Sequence, residues 1–325
     1  MHAATASVFV RVWGTRGSIP TPGPLTRLYG GNTSCYEVRV GDALFICDAG
    51  SGIRELGNDL IARSADPLTV HLLLSHTHWD HVQGFPFFAP AYQANNRIIV
   101  YDKSPYDAKS FRMLSGQMTG DYFPLKFSDL KAAITWDHLN DGDREIAGVR
   151  IRTFDQVHTG GSLGISLQAH GVKVVYATDN EIDQLIEAPS NGEATLRRIA
   201  QPQVEFVRDA DLLIADGQYT DEEYRRHEGW GHPSIITLVD LAVQASVKLL
   251  VVTHHDPNRT DRDVDALIDQ ARARASELGS NLLIHGAREG VEMQLTANRK
   301  TVAHVRKREG DSQRSVGGQH PTSPI

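Results

Sequence analysis

Six consecutive residues, His76-Thr77-His78-Trp79-Asp80-His81, bring three imidazoles and a carboxylate together. Imidazole and carboxylate are borderline ligands that suit zinc and similar transition metals. Leu72-Leu73-Leu74-Ser75 runs into the cluster as a buried strand. In extended backbone, residues two apart project to one side, so His76 and His78 face one position. Asp80 and His81 fall where the chain turns into a helix and face a second position nearby. The competing reading, a histidine-rich surface loop that binds nothing, fits neither the strand before the cluster nor the place of the aspartate. The pattern points to metal binding and to activated water.

Side chains so arranged need strands that end together. Val8–Trp13, Ser34–Val40, Ala43–Asp48, Leu68–Ser75 and Ile98–Tyr101 read as β-branched strands with glycine, proline or polar punctuation. A second series covers Val149–Asp155, Leu163–Ala169, Val172–Thr178, Leu212–Ala215, Leu249–Thr253 and Val291–Leu295. Helices alternate with the later strands. Pro233 is expected at a first helical position, and residues 261–278 form a helix capped by Thr260 and ended by Gly279. These elements predict one compact α/β domain over residues 1–308, with an apolar-poor, disordered tail over 309–325.

The composition, 40% hydrophobic and 22% charged, is that of a soluble globular chain. No apolar run approaches the roughly 20 residues that span a bilayer, and the first residues lack the pattern of a secretory signal. Cys35 and Cys47 lie in apolar, strand-like segments and fit buried thiols in a reducing cytoplasm. A net charge of −7 argues against a partner gripped through a nucleic-acid backbone.

The six-residue cluster resembles the His-x-His-x-Asp-His signature of the metallo-β-lactamase superfamily. That resemblance implies a four-layer αββα sandwich of two mixed β-sheets flanked by helices. It also assigns later residues: His158, Asp179 and His254 each end a strand, in the order the superfamily requires. By resemblance His76, His78 and His158 hold one metal, Asp80, His81 and His254 the other, and Asp179 bridges them. The cofactors implied are two divalent ions, zinc first, with manganese or iron accepted by the same ligands. His255 adjoins His254 and competes for its role.

Trp13–Pro20, Gly31–Cys35 and Ile46–Gly50 resemble the opening of the ribonuclease Z and phosphodiesterase branch. Asp48 is expected to brace a ligand histidine without binding metal. Asp216, ending Leu212-Leu-Ile-Ala-Asp, and His232, in Gly231-His232-Pro233-Ser234, resemble the branch's acidic and histidine motifs, with Pro233 as an extra residue.

The resemblance implies a hydroxide bridging two metals that attacks phosphorus, with Asp80, Asp216 and His232 as catalytic residues. His232, oriented by Asp216, would protonate the leaving oxygen or bind a phosphate oxygen. No long basic arm of the transfer-RNA-processing members is found. Residues 104–136, with Phe111, Met113, Leu114, Met118, Tyr122, Phe123 and Phe127, read as a lid or a homodimer face. A small or cyclic phosphodiester is therefore the expected substrate, and tRNA is not expected. A lactonase or β-lactamase, an iron-dependent redox member and a non-catalytic binding module are the alternatives.

Overall fold

The computed structural model describes residues 7–103, 109–139, 142–187, 196–297 and 306–307. The tail expected over 309–325 lies outside them. The first sheet contains β1 (Val8–Gly14), β2 (Cys35–Val40), β3 (Ala43–Cys47), β4 (Thr69–Leu73), β5 (Arg97–Asp102) and β6 (Ala133–His138). The second contains β7 (Asp143–Ile146), β8 (Val149–Gln156), β9 (Ser162–Ala169) and β10 (Val172–Ala177). A small ladder, β11 (Ile186–Glu187) with β12 (Arg198–Ile199), follows. The second sheet then adds β13 (Leu212–Asp216), β14 (Leu249–Thr253) and β15 (Leu283–Gly286). Finally β16 (Val291–Leu295) and β17 (Arg306–Lys307) return to the first sheet beside β1.

Both sheets are mixed. Strands β3 to β6 run parallel, as do β10, β13, β14 and β15, while the hairpins β1–β2–β3 and β7–β8–β9–β10 are antiparallel. Parallel neighbours need crossovers, and helices supply them. The first sheet carries α1 (Ile53–Arg63), α2 (Trp79–Val82) and α3 (Lys109–Gly116). The second carries α4 (Gln201–Val207), α5 (Asp221–His227), α6 (Ile235–Gln244) and α7 (Asp261–Glu277).

Three apolar layers hold this arrangement. The faces of the two sheets meet through Val10, Tyr36, Phe45, Ile165, Val174 and Ile214. The outer face of the first sheet packs on α1, through Ile46, Ile53, Leu56 and Phe85. The outer face of the second packs on α6 and α7, through Leu213, Leu238, Val252 and Leu267. The four-layer αββα sandwich follows from strands that are apolar on both faces. No helix among the described residues is long and apolar enough to cross a membrane. Cys35 and Cys47 are buried free thiols.

Two details differ from the sequence reading. Pro233 is not the first helical residue: α6 starts at Ile235, and Ser234 caps it by accepting from the Thr237 amide. The segment after residue 109 divides between core and surface, with Phe111, Met113 and Tyr122 exposed. Leu114, Met118 and Phe123 are buried, and Phe111 and Phe127 pack edge-on and tilted against Trp136 of β6.

Ile165 is fully buried between the sheets. Ile165→Ala should cost about 2–5 kcal/mol, the usual range for truncating a core side chain. A clearly lower urea midpoint of the metal-loaded protein is expected, and an unchanged midpoint would contradict this packing.

Candidate metal centre

Strand β3 delivers Asp48, β4 the cluster 76–81, β8 His158, β10 Asp179, β13 Asp216 and β14 His254. All lie at C-terminal strand ends, where parallel neighbours bring side chains to one edge of the sandwich. Asp48, Asp179 and His254 leave their strands in left-handed backbone, with φ of 62°, 62° and 55°. Side chains other than glycine adopt that conformation at a cost of roughly 1–3 kcal/mol, a cost that recurs at functional sites.

Asp48 fixes the first ligands. Its carboxylate accepts from the Ser75 amide at 2.8 Å, the Ser75 hydroxyl at 2.7 Å and the Tyr176 hydroxyl at 2.6 Å. It also lies 2.7 Å from His81 Nδ1, which turns His81 Nε2 inward. Ser75 Oγ stands 3.0 Å from His76 Nδ1 and leaves His76 Nε2 facing the centre. The brace expected of Asp48 is thus a contact with His81, extended through Ser75 to His76.

The remaining candidates converge. His76, His78 and His158 offer donor atoms to one point, and Asp80, His81 and His254 to a neighbouring one. Asp179 stands between the groups, 3.2 Å from His81 Nε2, 3.4 Å from His254 Nε2, 3.7 Å from His158 Nε2 and 3.9 Å from His76 Nε2. His254 Nε2 lies 3.1 Å from Asp80 Oδ2, and His158 Nε2 lies 3.0 Å from His78 Nδ1. Donors around a zinc-sized ion with bonds of about 2 Å are themselves roughly 3.3 Å apart, and the separations here bracket that value. His76 Nε2 is buried with no hydrogen-bond partner among the described residues. The donor set fits divalent metal.

His255 turns away from the centre. Its Nε2 lies 3.2 Å from the Ala287 carbonyl, its ring packs edge-on against Tyr29, and burial pushes its pKa down to about 3. His232 lies on the other side of Asp179, with Nδ1 2.8 Å from Asp216 Oδ2 and its ring stacked on His254 at 4.8 Å. Burial raises the Asp216 carboxyl above the usual range, and the bond from His232 pulls it the other way.

Two supports carried no sequence signal, and a third lies in the Trp13–Pro20 motif. Gln218 Oε1 stands 3.0 Å from His254 Nδ1 and orients that ring. Glu181 accepts from the amides of Gly229 at 2.6 Å and Gly231 at 2.9 Å, and the Gly231 carbonyl lies 3.1 Å from His158 Nδ1. The Ser18 amide donates to Asp80 at 2.7 Å, in a loop pressed so close that a Cβ on Gly17 would sit 2.3 Å from the His254 ring.

Charge divides the ligands in two. Burial, with their imidazole neighbours, lowers the pKa of His76 and His78, and burial lowers that of His158. These three rings are neutral and ready to coordinate. Burial opposes charge on His81 and His254 too, but Asp80 and Asp179 outweigh it, and His254 is raised to about 9. The same contacts hold Asp80 and Asp179 well below the usual carboxylate range against their burial. In the metal-free protein, protons therefore stand where cations belong.

The sequence profile of the beta-lactamase superfamily domain matches residues 44–255, from the start of β3 to the residue after His254. The chain belongs to that superfamily. Ribonuclease Z of Haloarcula marismortui is 22% identical over 295 residues, covering 80% of this chain and 89% of the relative. Ribonuclease Z of Thermoplasma acidophilum is 24% identical over 301 residues, covering 84% and 93%. The solved short form of human tRNase Z matches with a TM-score of 0.57 and 16% identity over 90% of this chain and 100% of that one.

The protein is thus a superfamily hydrolase with histidine and aspartate groups that can hold metal. The expectation that set tRNA aside is overturned, because the relatives spanning four-fifths of the chain are ribonucleases Z and the human neighbour is a tRNase Z. Net charge misled because it sums the whole surface, whereas substrate meets only the field near the site.

Asp80→Ala should lower bound metal by about one equivalent in atomic-emission analysis, and full occupancy would remove Asp80 from the ligand set. Because His254 keeps its proton up to about pH 9 without metal, loading at pH 7.5 should release protons into a weakly buffered indicator. That release should shrink as the pH rises through 9. Loading without proton release at pH 7.5 would contradict the charge assignment.

Proposed function

We propose that the protein is a two-metal phosphodiesterase. His76, His78 and His158 would hold one divalent ion, Asp80, His81 and His254 the second, and Asp179 would touch both, with zinc the first choice for this donor set. Two such ions supply an activated water near neutral pH and neutralise charge on the non-bridging phosphate oxygens.

The observation that carries the reading is the buried His232–Asp216 pair beside this donor set. Hydrolysis of a phosphodiester expels an alkoxide, which needs a proton. With Asp216 accepting from Nδ1–H, His232 can donate from Nε2 only as the doubly protonated ring, and that proton would pass to the departing oxygen. Asp216 sets the orientation of the ring. A lactone also expels an alkoxide and a β-lactam an amide nitrogen, so the phosphodiester is favoured over them by the ribonuclease Z relatives that match most of the chain. Asp80 acts chiefly as a ligand, held by the Ser18 amide.

Small or cyclic phosphodiesters are one substrate class that this chemistry would serve. A second reading places the phosphodiester in RNA, and the ribonuclease Z relatives over most of the chain favour it. Metal-loaded protein should hydrolyse bis-p-nitrophenyl phosphate. Cyclic nucleotides, precursor tRNA and a lactone panel assayed beside it then rank the substrates. Activity confined to lactones would sink the proposal.

His232→Ala should cost about 10²–10⁴-fold in kcat on an alkyl ester with a poor leaving group. It should cost much less on the p-nitrophenyl ester, whose leaving group needs little protonation. Equal losses on both would rule out proton donation.

A further inference from the structure

His232 sits on neither a strand nor a helix. It lies between Gly231, in left-handed backbone at φ 88°, and Pro233, two residues ahead of the α6 cap Ser234. Proline has no N–H, so Pro233 cannot tie this stretch down through its own amide. The Asp216 contact orients the ring, but the backbone that carries the ring needs a separate hold.

Two carboxylates supply that hold, one on each side. Glu181 accepts from the Gly229 amide at 2.6 Å, the Gly231 amide at 2.9 Å and the Tyr224 hydroxyl at 2.9 Å. Asp183 accepts from the Ser234 amide at 2.8 Å, the Ser234 hydroxyl at 3.0 Å and the Thr237 hydroxyl at 2.6 Å. The amides that bracket His232 and Pro233 are thus both bound by charged groups. Such charge-assisted bonds are shorter and stronger than neutral ones. Both acids are buried, with Glu181 1% exposed and the Asp183 side chain 5%. Carboxylates kept from water in this way persist where they are well bonded.

Both acids also belong to one short stretch, residues 179–183, which begins at Asp179 between the two ligand groups. The Asn180 side chain accepts from the Val157 amide at 3.0 Å, and the Glu181 amide donates to the Val157 carbonyl at 2.8 Å, one residue before His158. Ile182 anchors the stretch in the apolar layer between the second sheet and α6. One frame therefore carries Asp179, steadies the approach to His158 and grips the backbone around His232.

We infer that Glu181 and Asp183 are positioning residues for proton transfer, clamping the chain on both sides of His232 and so fixing its ring relative to the metal ligands. The inference rests on the phosphodiesterase reading. Placement matters because a shift of about 1 Å in a reacting group costs on the order of 10²-fold in rate.

The test compares an alkyl phosphodiester with its p-nitrophenyl counterpart on protein saturated with zinc. Glu181→Gln should lower kcat on the alkyl ester about tenfold or more beyond any loss on the p-nitrophenyl ester, as expected of a misplaced proton donor. In a His232→Ala background that extra loss should vanish, because residues that act as one unit are not additive. Independently, the Nδ1 proton of His232, identified in the downfield proton spectrum by its loss in His232→Ala, should be resolved in the wild type and broadened or absent in Glu181→Gln. The His81 proton held by Asp48 should persist in both.

Equal losses on the two esters, or the same extra loss without His232, would overturn the clamp while the phosphodiesterase reading stands. If the wild type hydrolyses neither ester, that reading falls, and the His232 proton alone then upholds or overturns the clamp. Should Glu181→Gln not fold, Asp183→Asn makes the same comparisons from the other side of His232.

Discussion

A single buried carboxylate sets the geometry of this protein. Asp48 ends β3 of one sheet and accepts from Tyr176 of the other, from both donors of Ser75, and lies against His81. Four groups converge on this carboxylate, one at Oδ1 and three at Oδ2. A charge removed from water survives only with such compensation, and taking away one partner of a buried charge is strongly destabilising. The spacing of the sheets, the turn of His81 and the position of Ser75 under His76 are therefore interdependent. The metal ligands cannot be reoriented without leaving that charge exposed to an apolar core.

How far sequence could see follows from how local each cause is. The six-residue cluster and the strands around it were legible because apolar runs, ligand chemistry and strand ends coincide in a short window. His158, Asp179 and His254 were reachable through the order of motifs, and each stands in the centre as that order implied. Helix α1 escaped because Gly52 gives it no side-chain cap and Gly57 interrupts its interior. Strand β6 was hidden in a segment whose aromatics looked like a surface, although Trp136 takes Phe111 and Phe127 against the sheet. Gln218 and Glu181 were invisible because their importance lies in where distant loops pass, and no periodicity records that. Net charge failed for the opposite reason, being a global quantity applied to a local question.

The site divides between a fixed interior and an open face. Inside, every inward-turned ligand nitrogen is oriented by a partner on its other side: Ser75 for His76, Asp48 for His81, Gly231 for His158 and Gln218 for His254. Such partners hold rings in one tautomer and one direction, so little reorganisation remains when charge develops nearby. On the open face lies His78, the exposed member of the donor set.

The candidate ligands run from residue 76 to residue 254, and β10 and β14, which carry two of them, are joined in parallel through β13. Such pairings are non-local, and long-range parallel contacts form slowly because loop closure comes before any gain. During synthesis, the ribosome exposes the cluster 76–81 long before β13 and β14 emerge. A chain halted just before β13 would already carry His76, His78, Asp80, His81, His158 and Asp179 without His254, and β10 would lack its parallel neighbour. Completion of the late strands thus coincides with completion of the donor set. Biogenesis of this protein is consequently a matter of timing between translation and metal supply.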